Sequence, residues 1–231
     1  MPENEVCGTF QIVRRSGSCS ELSEQLPSLT ARTLILAEPN DRSVILGSAQ
    51  EPTEQMKLRC EEAGFGFSRR RSGGGAVVIV PDEVVWVDLF LPADDPLFQS
   101  DVRSGSLWVG DLWCEVVRQF VGGDSTVAVH RGALIEAPWS RACCFLGLGP
   151  GEVTLGGQKI MGLSQRRSRA GAWFFSLVYR TLEVERDGAL LTEQASDAKE
   201  VSDRLAQGVA VLPFAREEII DVLLHLAAEI D

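Results

Sequence analysis

The amino-acid sequence predicts an α+β fold in which a mixed, mostly antiparallel sheet is flanked by helices. Apolar, β-branched runs that fit strands are separated by short turns, as at residues 76–80 and 84–91 around Pro81-Asp82-Glu83. Residues 101–121 instead carry apolar side chains at the three- and four-residue spacing of an amphipathic helix. Hairpin-linked strands with scattered helices are typical of an α+β domain.

The first half of the chain supplies several elements in order. Residues 1–30 contain turn-forming glycine and proline and predict a loop-rich start. Short strands are predicted over 33–37 and 43–46, on either side of a turn. Thr53 can cap a helix that runs to Ala63, because a threonine side chain accepts a hydrogen bond from the first helical turn.

The second half of the chain continues the same pattern. The spacing of Ile219, Leu223, Leu226 and Ile230 predicts a closing helix. Apolar runs predict four further strands before it, over residues 143–148, 152–155, 159–165 and 172–179.

Composition narrows the functional classes. The chain has 231 residues, with 33 acidic and 22 basic side chains and a formal net charge of −11. This balance argues against a nucleic-acid-binding protein or a basic membrane-surface protein. No apolar run approaches the roughly 20 residues of a membrane helix. Neither nucleic acid nor a membrane is therefore predicted as a partner.

Length and cysteine usage predict a single cytoplasmic domain. A chain with 45% apolar residues can form one large core, so residues 1–231 are taken as one domain. The six cysteines show no C-x-x-C spacing and are expected to be reduced thiols, not disulfides or zinc ligands. The polar N-terminus lacks the apolar core of a secretion signal, which agrees with a cytoplasmic location.

The most informative stretch is R-R-R-S-G-G-G-A-V, residues 69–77. Glycine lets backbone N–H groups approach a ligand, and successive N–H groups in a turn can form a concave site for an anion. The guanidinium groups of Arg69, Arg70 and Arg71 add planar donors suited to carboxylate or phosphate. The segment predicts a site for an acidic group, and the alternative is a solvated charged face.

A second chemical feature is G-G-Q-K-I-M-G, residues 156–162, which contains Lys159. The chain has only two other lysines, Lys57 and Lys199, so a lysine in place of an arginine is informative here. A compact ammonium fits between several oxygens where a guanidinium fork is too wide. Spacing alone leaves two interpretations open: an ammonium in a site, or an exposed lysine after a Gly-Gly turn.

These two segments, in this order, resemble the lipoate–protein ligase A type within the biotin/lipoate A/B protein ligase (BPL/LPL catalytic domain) superfamily. Glu38-Pro39 and V-I-L-G-S-A-Q, residues 44–50, resemble the family's strand and G-x-x-Q element before a helix. Residues 156–166 resemble its catalytic-lysine segment. The resemblance covers residues 34–179 and implies the catalytic-domain fold of biotin and lipoate ligases. It leaves no room after Tyr179 for the separate C-terminal accessory domain of some members.

The resemblance also implies an activity. Family members activate lipoate or octanoate with ATP, expected with magnesium, as an acyl-adenylate. They pass the acyl group to a lysine on the lipoyl domains of 2-oxoacid dehydrogenase complexes or on the glycine-cleavage H protein. By resemblance, Lys159 is the catalytic residue that bridges the carboxylate and the α-phosphate. The implied substrate- and nucleotide-binding residues are Arg70, Arg71, Ser72, Gly73, Gly74, Gly75, Ala76, Val77, Gly162 and Ser164.

A competing mechanism uses cysteine. Some relatives are octanoyltransferases that take the acyl group from acyl carrier protein through a thioester and need no ATP. Their cysteine can lie in an A-C-F-like segment, and Ala142-Cys143-Cys144-Phe145 falls in a similar place. Cys144 is therefore the alternative catalytic residue. Two small apolar residues of a buried strand are the other interpretation of the cysteine pair.

A third interpretation is a non-catalytic module that binds lipoate or an acyl-adenylate. Departures from the ligase pattern motivate it. Gly149-Pro150-Gly151-Glu152 stands where such ligases commonly carry an asparagine–aspartate pair. Phe174-Phe175-Ser176 stands where they tend to carry histidine–glycine.

Asp88 is an unusual charge in an apolar strand. It interrupts the run V-V-W-V-D-L-F-L and would share a strand face with Trp86 and Phe90. A carboxylate in such a place needs a partner or a cavity. We expect an arginine of the 69–71 cluster to pair with it.

Overall fold

A large sheet organises the chain. The structure, a computed structural model, describes residues 5–122 and 126–230, which contain eleven strands and six helices. Eight strands form the large sheet: β1 (Glu5–Cys7), β2 (Phe10–Gly17), β3 (Thr33–Pro39), β7 (Val84–Pro92), β8 (Val127–Val129), β9 (Val153–Leu155), β10 (Gln158–Arg167) and β11 (Gly171–Tyr179). Their order across the sheet is β1-β2-β3-β7-β11-β10-β9-β8.

The large sheet is mixed and mostly antiparallel, as predicted. Its one parallel pair is β2 with β3, which are connected through α1 (Cys19–Glu24). Ser18 and Glu21 form a capping box that starts α1, since each side chain accepts a hydrogen bond from the other residue's backbone. The prediction of a loop-rich start is wrong for residues 5–24, because these elements occupy them. Residues 1–4 lie outside the described residues.

A second, smaller sheet has three strands. β4 (Ser43–Leu46) lies at its centre, parallel to β5 (Gly66–Arg69) and antiparallel to β6 (Val77–Ile79). The predicted hairpin of residues 76–80 and 84–91 is therefore wrong, because β6 pairs with β4 and β7 joins the large sheet. Burial explains the difference. Residues 84–91 are all buried, and β7 is paired along both edges by β3 and β11, so no edge is free for β6.

Two helices cover one face of the large sheet. They are α3 (Val102–Val121) and α6 (Arg216–Ala227), and they confirm the predicted amphipathic and closing helices. The Asp101 carboxylate caps α3 by accepting a hydrogen bond from the Ser104 N–H. Trp113 of α3 is fully buried in the core that this layer forms with the sheet.

The remaining helices are α2 (Glu54–Glu62), α4 (Val184–Leu191) and α5 (Ala198–Gly208). Thr53 caps α2 as predicted, by accepting a hydrogen bond from Met56 N. The sequence prediction missed α4 and α5. Gly188 lowers the helical propensity of α4, which hides the helix in the sequence.

Residues 143–148 do not form the predicted strand. Cys143 makes a single bridge with Ala76, and a 3₁₀ turn follows at Cys144–Leu146. The Cys143 N–H donates to the Trp139 carbonyl, so the backbone is already turning where a strand would begin. The other three predicted strands of this half are confirmed as β9, β10 and β11.

The other face of the large sheet packs against the small sheet. Trp86 and Leu177 of the large sheet share a second buried core with Val44 and Ile79 of the small one. The 3₁₀ turn at Cys144–Leu146 belongs to the same layer, since Phe145 is buried in this core. The glycine-rich and lysine-containing segments are thereby brought to neighbouring positions between the two sheets.

We expect Leu36→Ala to lower the free energy of unfolding by about 2–5 kcal/mol, because Leu36 is fully buried between the large sheet and its helices. The matched control is Leu58→Ala on α2, where the side chain is 58% exposed and the expected change is within about 0.5 kcal/mol. Urea unfolding of both variants measures the difference. Equal effects would contradict the assigned core.

Candidate functional site

The triple glycine lies in the loop between β5 and β6. Gly74 has a φ of +101°, a conformation that residues with side chains rarely adopt. A Cβ atom at Gly75 would lie 2.7 Å from backbone atoms of Cys143 and Cys144. Glycine at these positions therefore allows the loop to pack directly against the cysteine segment.

Arg70 fixes the loop from one side. Its Nη2 donates to the carbonyl oxygens of Gly73 and Gly75, at 2.8 and 2.7 Å. Within the described part of the chain, the N–H groups of Gly73, Gly74 and Gly75 donate no hydrogen bond. Successive unpaired N–H groups of this kind can bind an anion.

One nitrogen of the Arg70 guanidinium has no hydrogen-bond partner within the residues that the structure describes. Arg70 is 8% exposed, and its Nε donates to Ser72 Oγ at 3.1 Å. Its Nη1 is buried and has no hydrogen-bond partner among residues 5–122 and 126–230. A buried, unpaired donor on a charged group is costly, so a ligand oxygen that accepts from Nη1 would be stabilised.

Lys159 lies near the start of β10 and is buried. It is only 4% exposed, which rules out the interpretation of an exposed lysine after a turn. The pairing of β10 with β9 shifts register between Lys159 and Met161, an irregularity that changes the direction of a side chain. The Lys159 Nζ donates to the carbonyl oxygens of Cys144 and Gly147, at 2.9 and 3.0 Å, and lies 5.0 Å from the centre of the Phe145 ring.

The third partner of the Lys159 ammonium is Glu152, at 2.6 Å from Nζ to Oε1. Glu152 is 4% exposed, and it also accepts hydrogen bonds from the backbone N–H groups of Gly149 (2.6 Å, to Oε2) and Leu163 (3.1 Å, to Oε1). Sequence reasoning noted Glu152 only as a departure from a pattern. The available signal was the short β9–β10 hairpin, which returns the chain so that residues preceding β9 lie beside β10.

A hydrogen bond joins the two motifs directly. Ser72 Oγ and Ser164 Oγ lie 2.8 Å apart, one from the glycine segment and one from β10. Gln50 connects the loop after β4 to the segment before the cysteine pair, because its Nε2 donates to the carbonyls of Arg141 and Ala142 while its Oε1 accepts from Gly47 N. The two segments that were singled out in the sequence are therefore parts of one site.

Two cavities meet at this site. A wider cleft of about 500 Å³ is bordered by Gly73, Gly74, Gly75, Glu152 and Lys159. A narrower pocket of about 50 Å³ lies beside it, and its walls are almost wholly apolar. The pocket is lined by residues that include Ile45, Arg70, Val77, Ile79, Trp86, Gly162, Phe175 and Leu177. Cys144, Leu163 and Ser164 line both cavities and mark the junction.

The two adjacent cysteines occupy different environments. Cys143 is buried, and burial raises the pKa of its thiol to about 12. Cys144 is only partly buried, begins the 3₁₀ turn and lies at the junction of the two cavities. A Cβ atom at Gly74 would be 3.8 Å from its Sγ. Of the pair, Cys143 alone is fully buried, and neither cysteine lies in a strand.

The structure brings most of the candidate residues together. Lys159, Cys144 and the three glycines border the cleft, and Ser72 lies behind it. Arg70, Val77, Gly162 and Ser164 line the pocket.

Two candidate residues differ from the prediction. The Arg71 side chain lies outside both cavities, because its Nε donates to the Glu24 carbonyl on α1. Ala76 is buried and lines neither cavity, and its backbone pairs with Ala142 and Cys144.

Asp88 does not pair with the arginine cluster, so that expectation is wrong. Its Oδ1 instead accepts a hydrogen bond of 2.6 Å from Trp86 Nε1, on the same strand face. Burial raises the pKa of Asp88 to about 7, opposed by the Trp86 hydrogen bond and by the charge of Arg15. Asp88 thus holds the indole of Trp86, which lines the apolar pocket.

Neither a metal centre nor a membrane helix is found in the described parts of the chain. Residues 5–122 and 126–230 contain no group of three His, Cys, Asp or Glu side chains that could hold a metal ion. Within the same ranges, every helix is too short or too polar to cross a bilayer.

Comparison with a family model gives one match over most of the chain. Residues 20–212 match the model described as the lipoyl protein ligase A/B catalytic domain. No curated protein matches the chain by sequence.

Three solved structures with the same fold are described as lipoate protein ligases. A protein of T. acidophilum assigned as a lipoate protein ligase, with bound lipoic acid, has a TM-score of 0.69 and 16% identity over 97% of this chain and 85% of its own. A bi-partite lipoate protein ligase of Thermoplasma acidophilum has a TM-score of 0.70 and 14% identity, over 97% and 84%. A lipoate-protein ligase A bound with ATP has a TM-score of 0.69 and 17% identity, over 97% and 85%. At these identities the likeness shows a common fold.

We expect Asp88→Asn to remove a pH-dependent loss of stability. The folded carboxyl has a pKa of about 7, against an ordinary value of 3.8, so between these values only the unfolded chain releases the proton. The wild-type protein should therefore lose about 1.4 kcal/mol of stability per pH unit as the pH rises from 4 to 7, relative to the variant. Asparagine cannot ionise, yet its side-chain oxygen can still accept from Trp86.

Urea unfolding of both proteins at several pH values measures this difference. Asp187, whose pKa burial raises to about 6, is present in both proteins and cancels. Parallel stability curves for wild type and variant would count against the assigned environment of Asp88.

Proposed function

Because the chain belongs to the lipoyl protein ligase A/B catalytic-domain family, we propose that it attaches a lipoate or octanoate group to a lysine of an acceptor protein. The observation that carries this proposal is the junction of the two cavities. There an apolar pocket opens into a wider cleft that is bordered by a buried ammonium and three unpaired backbone N–H groups. A fatty-acid-like substrate has the same division into an apolar chain and an acidic head.

The apolar lining of the pocket suits the aliphatic chain of such an acid, and the cavity of about 50 Å³ would have to widen to admit the whole chain. Its walls are apolar, and burial of each methylene contributes roughly 0.8 kcal/mol. Arg70 lines this pocket and has its buried Nη1 without a partner. A carboxylate at the junction would provide the missing acceptor. Lipoic acid is bound by the T. acidophilum protein of the same fold, which supports this substrate class.

The cleft suits the activation step. In that step a carboxylate oxygen of the substrate attacks the α-phosphorus of ATP, pyrophosphate leaves, and an acyl-adenylate forms. Negative charge develops between the carboxylate and the α-phosphate, where a fixed cation and oriented N–H groups stabilise it. Lys159 and the Gly73–Gly75 backbone provide these groups. ATP bound to a lipoate-protein ligase A of the same fold supports the nucleotide assignment.

Magnesium enters this proposal only as the ion that accompanies ATP. The part of the chain that the structure describes offers no three-ligand cluster for it. Nucleotide-bound magnesium commonly takes most of its ligands from phosphates and water. We therefore assign no residue of this chain to the metal and base no step on it.

The transfer step completes the reaction. The amine of an acceptor lysine attacks the acyl carbon, AMP leaves, and an amide forms with loss of one proton. We propose lipoyl domains of 2-oxoacid dehydrogenase complexes, or the glycine-cleavage H protein, as acceptors. The bi-partite ligase of the same fold was studied with its E2 lipoyl domain, which supports this class of partner. We place the reaction in the cytoplasm, where the six free cysteines would stay reduced.

We expect Lys159→Ala to reduce transfer by about a hundredfold or more, because the variant lacks the cation beside the developing charge. The assay combines the protein with lipoate, MgATP and an apo lipoyl domain, and the mass of that domain reports its modification. Lys199→Ala is the matched control, since Lys199 is 84% exposed on α5 and should leave transfer unchanged. Full transfer by Lys159→Ala would reject the role of Lys159.

A second candidate function is favoured by the position of Cys144 at the junction. In this route octanoyl carrier protein would pass its acyl group to Cys144 Sγ, releasing the carrier thiol. The acceptor amine would then attack the new thioester and regenerate the cysteine. The glycine N–H groups lie next to Cys144 and could stabilise the oxyanion of either step.

Cys144→Ala separates the two routes. Under the adenylate proposal the variant should keep ATP-dependent transfer near the wild-type level, because the thiol takes no part. Loss of transfer in this variant, together with ATP-independent transfer from octanoyl carrier protein by the wild type, would establish the thioester route. Lipoate binding without acyl transfer under either condition would indicate that the protein is a non-catalytic binding module.

A further inference from the structure

We propose that Glu152 is a positioning residue that holds the Lys159 side chain fixed beside the junction of the two cavities. This inference rests on the proposed function of Lys159.

All three N–H donors of the Lys159 ammonium have an acceptor. An ammonium carries three N–H donors, and the structure gives it three acceptors: Glu152 Oε1 and the carbonyl oxygens of Cys144 and Gly147. The group is buried, so solvent does not compete for these bonds. An anion that reaches the cleft can contact Nζ only if one of the three acceptors is released.

Glu152 is the acceptor least able to leave. Its two oxygens also accept hydrogen bonds from the N–H groups of Gly149 and Leu163. A buried carboxylate separated from its cation would remain uncompensated, which is far more costly than the loss of one bond to a neutral carbonyl. The arriving anion should therefore replace the Cys144 or Gly147 carbonyl, and the Lys159–Glu152 pair should persist.

The pair also fixes where the Lys159 amine can act. Glu152 holds Nζ at the edge of the cleft, beside the carbonyl oxygens of Cys144 and Gly147. An amine held there is placed to contact a carboxylate and a phosphate that enter the cleft.

Trace labelling with acetic anhydride tests the pairing, since an amine held by three acceptors reacts slowly with the reagent. The extent of reaction at Lys159 is measured by mass spectrometry of its peptide. We expect Glu152→Gln to raise the labelling rate of Lys159 by about tenfold, because glutamine keeps the shape and removes the counter-charge. Glu83→Gln is the matched control. It removes a carboxylate paired with Arg186, outside the site, and should leave Lys159 labelling unchanged.

Glu152→Asp gives a second test that is less disruptive to folding. The shorter carboxylate keeps the charge, so labelling of Lys159 should stay within about threefold of wild type. Wild-type labelling rates in both Glu152 variants, with native circular dichroism, would overturn the proposal. So would equally increased labelling in Glu152→Gln and Glu83→Gln, because that result reports general loosening.

Steady-state kinetics separates positioning from a structural role. We expect Glu152→Gln to lower kcat for lipoate transfer about tenfold or more, with KM for lipoate changed less than threefold, and Glu152→Asp to recover part of kcat. A rise in KM alone would contradict positioning. If the wild type transfers nothing, the proposed function fails, whereas the labelling experiment still decides whether Glu152 controls Lys159.

Discussion

A buried ammonium needs acceptors on every side, and this need connects the parts of the site. The acceptors of Lys159 come from three places: the turn that begins at Cys144, its end at Gly147, and Glu152 just before β9. The same turn receives the glycine loop, because the Cys144 N–H donates to the Ala76 carbonyl. The lysine therefore fixes the turn, and the turn fixes the loop that offers its N–H groups to the cleft.

Strands and loops have different roles around that centre. Residues from strands of both sheets line the apolar pocket, while the cleft is bordered mainly by loops and by β10. An acyl chain that is buried between the sheets needs a cavity of matching shape and apolar contacts, and side chains on strands provide both. Charge stabilisation needs free backbone donors, which regular strands do not have because their N–H groups are paired. The division follows from the hydrogen-bonding of each kind of element.

The sequence predicted the fold class and the local elements whose signal lies within them. The amphipathic spacing of residues 101–121 indicated α3, and Thr53 indicated the start of α2. The pairing of strands could not be predicted from the sequence. Hydrogen bonding along both edges places β7 between β3 and β11, and the short turn before it does not determine this. Glu152 was missed for a related reason. Its importance depends on a lysine that only the β9–β10 hairpin brings to its side.

Three consecutive glycines give the unfolded chain exceptional freedom, and ordering them costs conformational entropy. In this protein the Arg70 guanidinium holds the Gly73 and Gly75 carbonyls within the folded chain itself. The loss of entropy therefore occurs during folding and not when an anion binds. The loop is preorganised, so little of the binding free energy should be lost in ordering its backbone.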